Sequence, residues 1–110
     1  MLNKCYHNKS IDLLLEKVAK WHYDRNLIDG STDQAQFVKL IEEAGELAGN
    51  IARGRPARIA DDIGDMMVVL INIAERNGLS IKSCLDQAWN DIKDRKGRMV
   101  DGVFVKEEDQ

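Results

Sequence analysis

Two short acidic clusters constrain this chain more than any other feature of its sequence. The first is Glu42, Glu43 and Glu46, and the second is Asp62 and Asp65, with positions 47–61 between them. Residues three or four apart are neighbours on an α-helix, so each cluster presents its acids side by side only if its segment is helical. The sequence therefore predicts two helices that each carry an acidic face.

Five carboxylates on two neighbouring helices repel each other unless a cation neutralises them. A hard divalent ion such as Mg²⁺ takes carboxylate oxygens as ligands and keeps positions for water and substrate phosphates. Such an ion can also bridge phosphate oxygens and lower the pKa of a bound water. The pattern indicates a metal-dependent enzyme that acts on phosphates.

Helix-capping residues divide the chain into four helices. We expect a serine N-cap or a first-turn proline at each start and a glycine after each of the last three. The expected bounds are Ser10 to Asp24, Ser31 to Arg53, Pro56 to Asn77 and Ser80 to Lys96. In the tail, Asp101-Gly102 lies between β-forming residues, which predicts a short hairpin or extended arm. Residues 1–110 are thus expected to form one domain, an all-α four-helix bundle.

The apolar faces predict that copies of the chain associate. The third helix is apolar all round from Met66 to Ile71, and such a helix is buried on several sides. Four short helices cannot cover it, so we expect a homodimer or higher oligomer whose acidic faces line a cleft. In the second helix, the three glutamates fall opposite one apolar stripe. That stripe consists of Phe37, Leu40, Ile41, Ala44, Leu47, Ala48 and Ile51.

Composition argues against several other classes of protein. The net charge is −3 without a basic stripe, so duplex nucleic acid is not expected as a partner. Cys5 and Cys84 fit neither a zinc site nor a disulfide framework and are expected to be reduced thiols. Residues 1–10 are polar and carry no signal segment, and the longest apolar run is too short to span a membrane. We therefore expect a cytoplasmic protein.

Several residues outside the acidic clusters are candidates for substrate contacts. Lys39, Lys93 and Arg95 could contact phosphates, although cations at the end of a helix also stabilise it without any ligand. Trp21 lies on the apolar stripe of the first helix, where packing in the core and stacking on a base are the two interpretations. His22 is expected to lie at the surface or to form local hydrogen bonds.

Residues 42–46 (E-E-A-G-E) followed by residues 62–65 (D-I-G-D) resemble the E-E-x-x-E … E-x-x-D signature of the MazG-like all-α nucleotide pyrophosphohydrolases. The chain is most similar to the compact single-domain members found in phages and bacteria. The resemblance implies a helical homodimer or dimer of dimers. It also implies Mg²⁺-dependent hydrolysis of a nucleoside triphosphate, often a deoxynucleotide, to the monophosphate and pyrophosphate, with Mn²⁺ as a substitute ion.

The resemblance also implies roles for individual residues. The metal ligands would be Glu43, Glu46, Asp62 and Asp65, and Glu42 would activate the attacking water or support the ligands. Asn90, Lys93 and Arg95 match positions that contact phosphates. Asp62 stands where the family usually has Glu, so its shorter side chain reaches an ion less easily.

Three hypotheses about function follow. The first is a Mg²⁺-dependent pyrophosphohydrolase that adjusts or sanitises nucleotide pools. The second keeps the same site but changes the substrate, for example to dUTP or an alarmone. The third is a non-catalytic oligomer that binds nucleotide and regulates, which the departure at position 62 favours.

Overall fold

The computed structural model describes residues 10–107 and confirms four helices followed by a short hairpin. The elements are α1 (Ile11–Asp24), α2 (Asp33–Ala52), α3 (Pro56–Arg76), α4 (Ile81–Ile92), β1 (Gly97–Val100) and β2 (Val103–Lys106). The predictions for Cys5 and for positions 1–9 of the polar N-terminal segment lie outside the described residues. Within those residues, no helix combines the length and the apolar character that crossing a membrane requires.

The helix starts follow the capping residues, with one correction. The Ser10 hydroxyl accepts a hydrogen bond from the Leu13 amide, and Ser80 forms a capping box at the start of α4. The N-cap of α2 is Thr32 rather than the predicted Ser31, and its hydroxyl accepts from the Ala35 amide at 3.0 Å. The Ser31 hydroxyl instead accepts from the Gln36 side-chain amide, so the chain enters α2 one residue later than the capping-box spacing suggested.

The end of α4 was predicted one turn too late. The helix ends at Ile92, and Gly97 begins β1 instead of following a helix. A side chain at Gly97 would collide with the Val105 carbonyl oxygen on β2, so this glycine permits a close approach between strands. Asp101 and Gly102 have φ angles of 50° and 81°, as a tight two-residue hairpin turn requires. The predicted hairpin is therefore confirmed.

Helix α3 lies at the centre of the packing. It contacts α1, α2 and α4, and it forms the most extensive helix pair with α2. Val69, Ile71 and Ala74 of α3 are buried in the core. By contrast, the predicted stripe of α2 is largely exposed, with Phe37 and Ile51 each more than half accessible. The α2 face that meets α3 is therefore not purely apolar, because it includes the buried Glu43.

A buried polar network joins α1 to α3 and corrects the prediction for His22. This histidine is 3% exposed, and its Nε2 lies 2.9 Å from the Val68 carbonyl oxygen, to which it donates. Its Nδ1 accepts from the side-chain amide of Asn72, which also donates to the Leu27 carbonyl. His22 lies one helical turn after Val18 on the apolar face of α1, so it is carried inward and needs partners there.

Candidate metal centre

Three carboxylates meet between α2 and α3. One oxygen each from Glu43, Asp62 and Asp65 lies within 4.8 Å of the other two. Glu43 lies in the middle of α2, whereas Asp62 and Asp65 are one turn apart in the first half of α3. The packing of these two helices therefore brings the two acidic clusters of the sequence together in space.

Burial strengthens the repulsion within this group. Glu43 and Asp62 are buried, and Asp65 is half-buried. The pKa of Asp65 is raised, first by its own burial and then by the negative charges of Asp61 and of the two other carboxylates. The Lys39 ammonium acts in the opposite direction on this pKa. The site thus concentrates negative charge that one nearby lysine offsets only in part.

Glu43 carries a buried oxygen that finds no partner. Its Oε2 accepts no hydrogen bond from any residue between 10 and 107. Its Oε1 has the ammonium of Lys39 at 3.5 Å, one turn earlier on α2, and that lysine side chain is largely exposed. Leaving a buried acceptor unpaired is costly, whereas hard divalent cations bind carboxylate oxygens. The donor set and its spare oxygen therefore fit Mg²⁺ or Mn²⁺.

Asn50 contacts the cluster, and the sequence interpretation missed it. Its side-chain nitrogen donates to Asp62 Oδ2 at 2.6 Å, joining α2 to α3. Asn50 follows Glu43 by seven residues, which is about two helical turns, so both lie on the same face of α2. That spacing is the signal that could have identified it.

Glu42 and Glu46 are placed differently from Glu43. Both are exposed, and neither belongs to the group of three carboxylates. Glu46 is three residues from Glu43, a rotation of about 60° around the helix, which turns it away from the α3 contact. The roles of Glu46 as a ligand and of Glu42 as a base stay predictions.

A cavity adjoins the carboxylate group on the side of α1. It has a volume of about 480 Å³, and its lining includes Asp65. Trp21 is 43% exposed, so it is a wall of the cavity and not a core residue. The guanidinium of Arg25 lies 4.5 Å from the centre of its ring. The cavity is lined by Leu14, Lys17, Val18, Trp21, Asp65 and Val68.

The other residues predicted to contact phosphates form no hydrogen bond or ion pair with the three carboxylates within residues 10–107. Asn90 is exposed on α4, and Lys93 and Arg95 are exposed in the segment that follows it. In the described part of the chain, the ion pair that reaches the carboxylate group is that of Lys39 with Glu43. Phosphate contacts by Asn90, Lys93 and Arg95 therefore stay predictions.

Comparison with known proteins agrees with this geometry. Residues 31–100 match the family model described as the MazG nucleotide pyrophosphohydrolase domain, a range that contains the three carboxylates and Asn50. The chain is also 45% identical over 64 residues to an uncharacterized 18.2 kDa protein in the rep-hol intergenic region of Haemophilus phage HP1. That alignment covers 58% of this chain and 39% of the phage protein. No solved structure matches the chain.

We predict that Mg²⁺ or Mn²⁺ raises the melting temperature, because a ligand that binds only the native state stabilises it. At a hundredfold excess over Kd, the gain is about 2.7 kcal/mol. Asp62→Asn should remove most of this shift, since it takes one anionic ligand from the group. Differential scanning fluorimetry with the ion and with chelator measures it.

Asp61→Asn is the matched control, because Asp61 is the exposed neighbour of Asp62 and lies outside the group of three. The variant loses the same charge but no ligand, so it should keep most of the metal-induced shift even though the Asp61 charge acts on Asp65. Equal shifts in the two variants would contradict the site.

Proposed function

Because the chain belongs to the MazG nucleotide pyrophosphohydrolase family, we propose that it hydrolyses nucleoside or deoxynucleoside triphosphates to the monophosphate and pyrophosphate. The reaction would adjust or sanitise nucleotide pools. The observation that carries the proposal is the group formed by Glu43, Asp62 and Asp65, which lies inside the matched region.

In this proposal, Glu43, Asp62 and Asp65 hold Mg²⁺, and Glu46 joins them from the next turn of α2. The ion would neutralise charge on the phosphates and lower the pKa of an attacking water. Glu42, next to Glu43 in the chain, is our candidate for the carboxylate that accepts the proton of that water. Its exposure leaves it free to reorient toward a bound substrate.

We further propose that the nucleobase enters the cavity beside Asp65. The wall formed by Trp21 offers an aromatic face for stacking, and Leu14 and Val18 exclude water from its sides. Asp65 belongs to both the cavity and the carboxylate group, so a base in the cavity would have its phosphates near the metal. Lys17, which the sequence interpretation did not single out, lies in the same wall and could meet a phosphate.

The remaining phosphate contacts are assigned to Lys39, Asn90, Lys93 and Arg95. Lys39 is already 3.5 Å from Glu43 and has an exposed side chain, so it can exchange the carboxylate for a phosphate oxygen. Asn90, Lys93 and Arg95 would reach the substrate if α4 and the segment after it lie over the cleft. These elements could come from the same copy of the chain or from a second one.

A homodimer or dimer of dimers would cover the exposed apolar side chains. Four large apolar side chains on α2 and α3 are each at least 40% exposed. They are Phe37, Ile41, Ile63 and Met67. A second copy offers the same apolar surfaces in return, as a two-fold interface requires. Sedimentation velocity should show a species of twice or four times the 12.5 kDa chain mass, and a monomer at micromolar concentration would contradict this assembly.

The experiment that tests the reaction is product analysis on a panel of NTPs and dNTPs, including dUTP, with Mg²⁺ and with chelator. We expect metal-dependent release of pyrophosphate and the monophosphate. Glu43→Gln should abolish turnover because it removes a ligand charge from the buried group, whereas Asp61→Asn should retain it. In Trp21→Ala, KM should rise with little change in kcat, because stacking acts on the substrate and the transition state alike.

Release of diphosphate and phosphate would contradict the proposed bond cleavage, and full activity in Glu43→Gln would contradict the proposed site. Metal-dependent nucleotide binding without any product would favour the regulatory oligomer. The structural observation that favours the regulatory oligomer is the exposed position of Glu46, outside the group of three carboxylates.

A further inference from the structure

Within residues 10–107, a hydrogen bond from Asn50 to Asp62 joins a neutral side chain to the carboxylate group. Asn50 is half-buried, Asp62 is 4% exposed, and the nitrogen–oxygen distance is 2.6 Å. A hydrogen bond to an ionised acceptor is shorter and stronger than one between neutral groups. The contact therefore restrains the orientation of the Asp62 carboxylate.

The chemistry of the donor matters at this position. A lysine or arginine would cancel the charge of Asp62 and compete with a cation for it. An amide orients the carboxylate without adding a positive charge, so Asp62 keeps its net negative charge for a metal. Partners of this kind orient metal ligands in proteins and tune their affinity.

We infer that Asn50 is a positioning residue of the metal centre, which holds the short side chain of Asp62 in the orientation that binds the ion. The inference rests on the metal site of the proposed function. Asp62 has one methylene fewer than a glutamate, so it reaches the position shared with Glu43 and Asp65 from few orientations. The hydrogen bond from Asn50, on the facing helix, fixes one of these orientations of Asp62. The site is then preformed, and the ion binds without first having to order the Asp62 carboxylate.

The test is the affinity for Mn²⁺ alone, measured by isothermal titration calorimetry without nucleotide. Asn50→Leu keeps a similar volume and removes the donor. We expect Kd for Mn²⁺ to rise about 10- to 100-fold, the usual effect of losing a partner that orients a metal ligand. Asn50→Ala is the second variant if the leucine prevents folding.

Gln36→Leu is the matched control. Gln36 precedes Glu43 by seven residues, as Asn50 follows it by seven, so the two amides lie on the same face of α2 at opposite ends. Gln36 donates to the Ser31 hydroxyl and touches no carboxylate of the group. Its loss should leave Kd for Mn²⁺ unchanged, and a rise equal to that in Asn50→Leu would overturn the inference.

A double-mutant cycle with Asp62→Glu separates positioning from a general structural effect. A glutamate carries its carboxylate past Asn50, so Asn50→Leu should raise Kd by less than about 3-fold in that background, a sign of coupling between the two sites. Equal effects in both backgrounds would overturn the inference, as would a wild-type protein that binds no Mn²⁺. Asn50-dependent binding without nucleotide hydrolysis would refute the proposed reaction alone.

Discussion

Repulsion among three carboxylates held between α2 and α3 is the interaction on which the proposed chemistry depends. Glu43, Asp62 and Asp65 bring oxygens within 4.8 Å of one another, and two of these side chains are buried. Burial of Asp65 and, after it, the negative charges of Asp61 and of the two other carboxylates raise the pKa of Asp65. A protein interior tolerates such a group when a cation or protons neutralise it. The two helices therefore hold an excess of negative charge that a divalent ion would neutralise.

The rest of the fold serves to hold α3 in place against its neighbours. On one side, α2 contributes Glu43 and Asn50. On the other, the buried histidine of α1 donates to the Val68 carbonyl, one turn after Asp65 along α3. Trp21 precedes His22 on α1, and the two rings meet edge to face with 5.2 Å between their centroids, so the helix that carries the cavity wall is the one joined to α3 by the histidine.

Much of this arrangement could be predicted because it depends on local rules. The acidic spacing, the first-turn proline of α3 and the Asp-Gly turn each act within a few residues. The structure has the expected features in each place: Asp62 and Asp65 lie one turn apart on α3, Pro56 begins that helix, and Asp101-Gly102 forms the hairpin turn. The failures depend on contacts across the chain: the burial of His22 requires α3, and Gly97, predicted to follow a helix, instead pairs with Lys106 in the hairpin. For Asn50, the seven-residue spacing from Glu43 indicates the shared face of α2, but its hydrogen-bond partner lies on another helix.

We propose that a divalent ion binds where Glu43, Asp62 and Asp65 converge. Crystals grown with Mn²⁺ and a non-hydrolysable nucleoside triphosphate analogue, measured at a wavelength where manganese scatters anomalously, test it most directly. We expect an anomalous peak about 2.0–2.3 Å from oxygens of these three side chains and beside the phosphates, the distance of a hard cation from its oxygen ligands. A peak elsewhere, or carboxylates that retain only protein contacts, would contradict it.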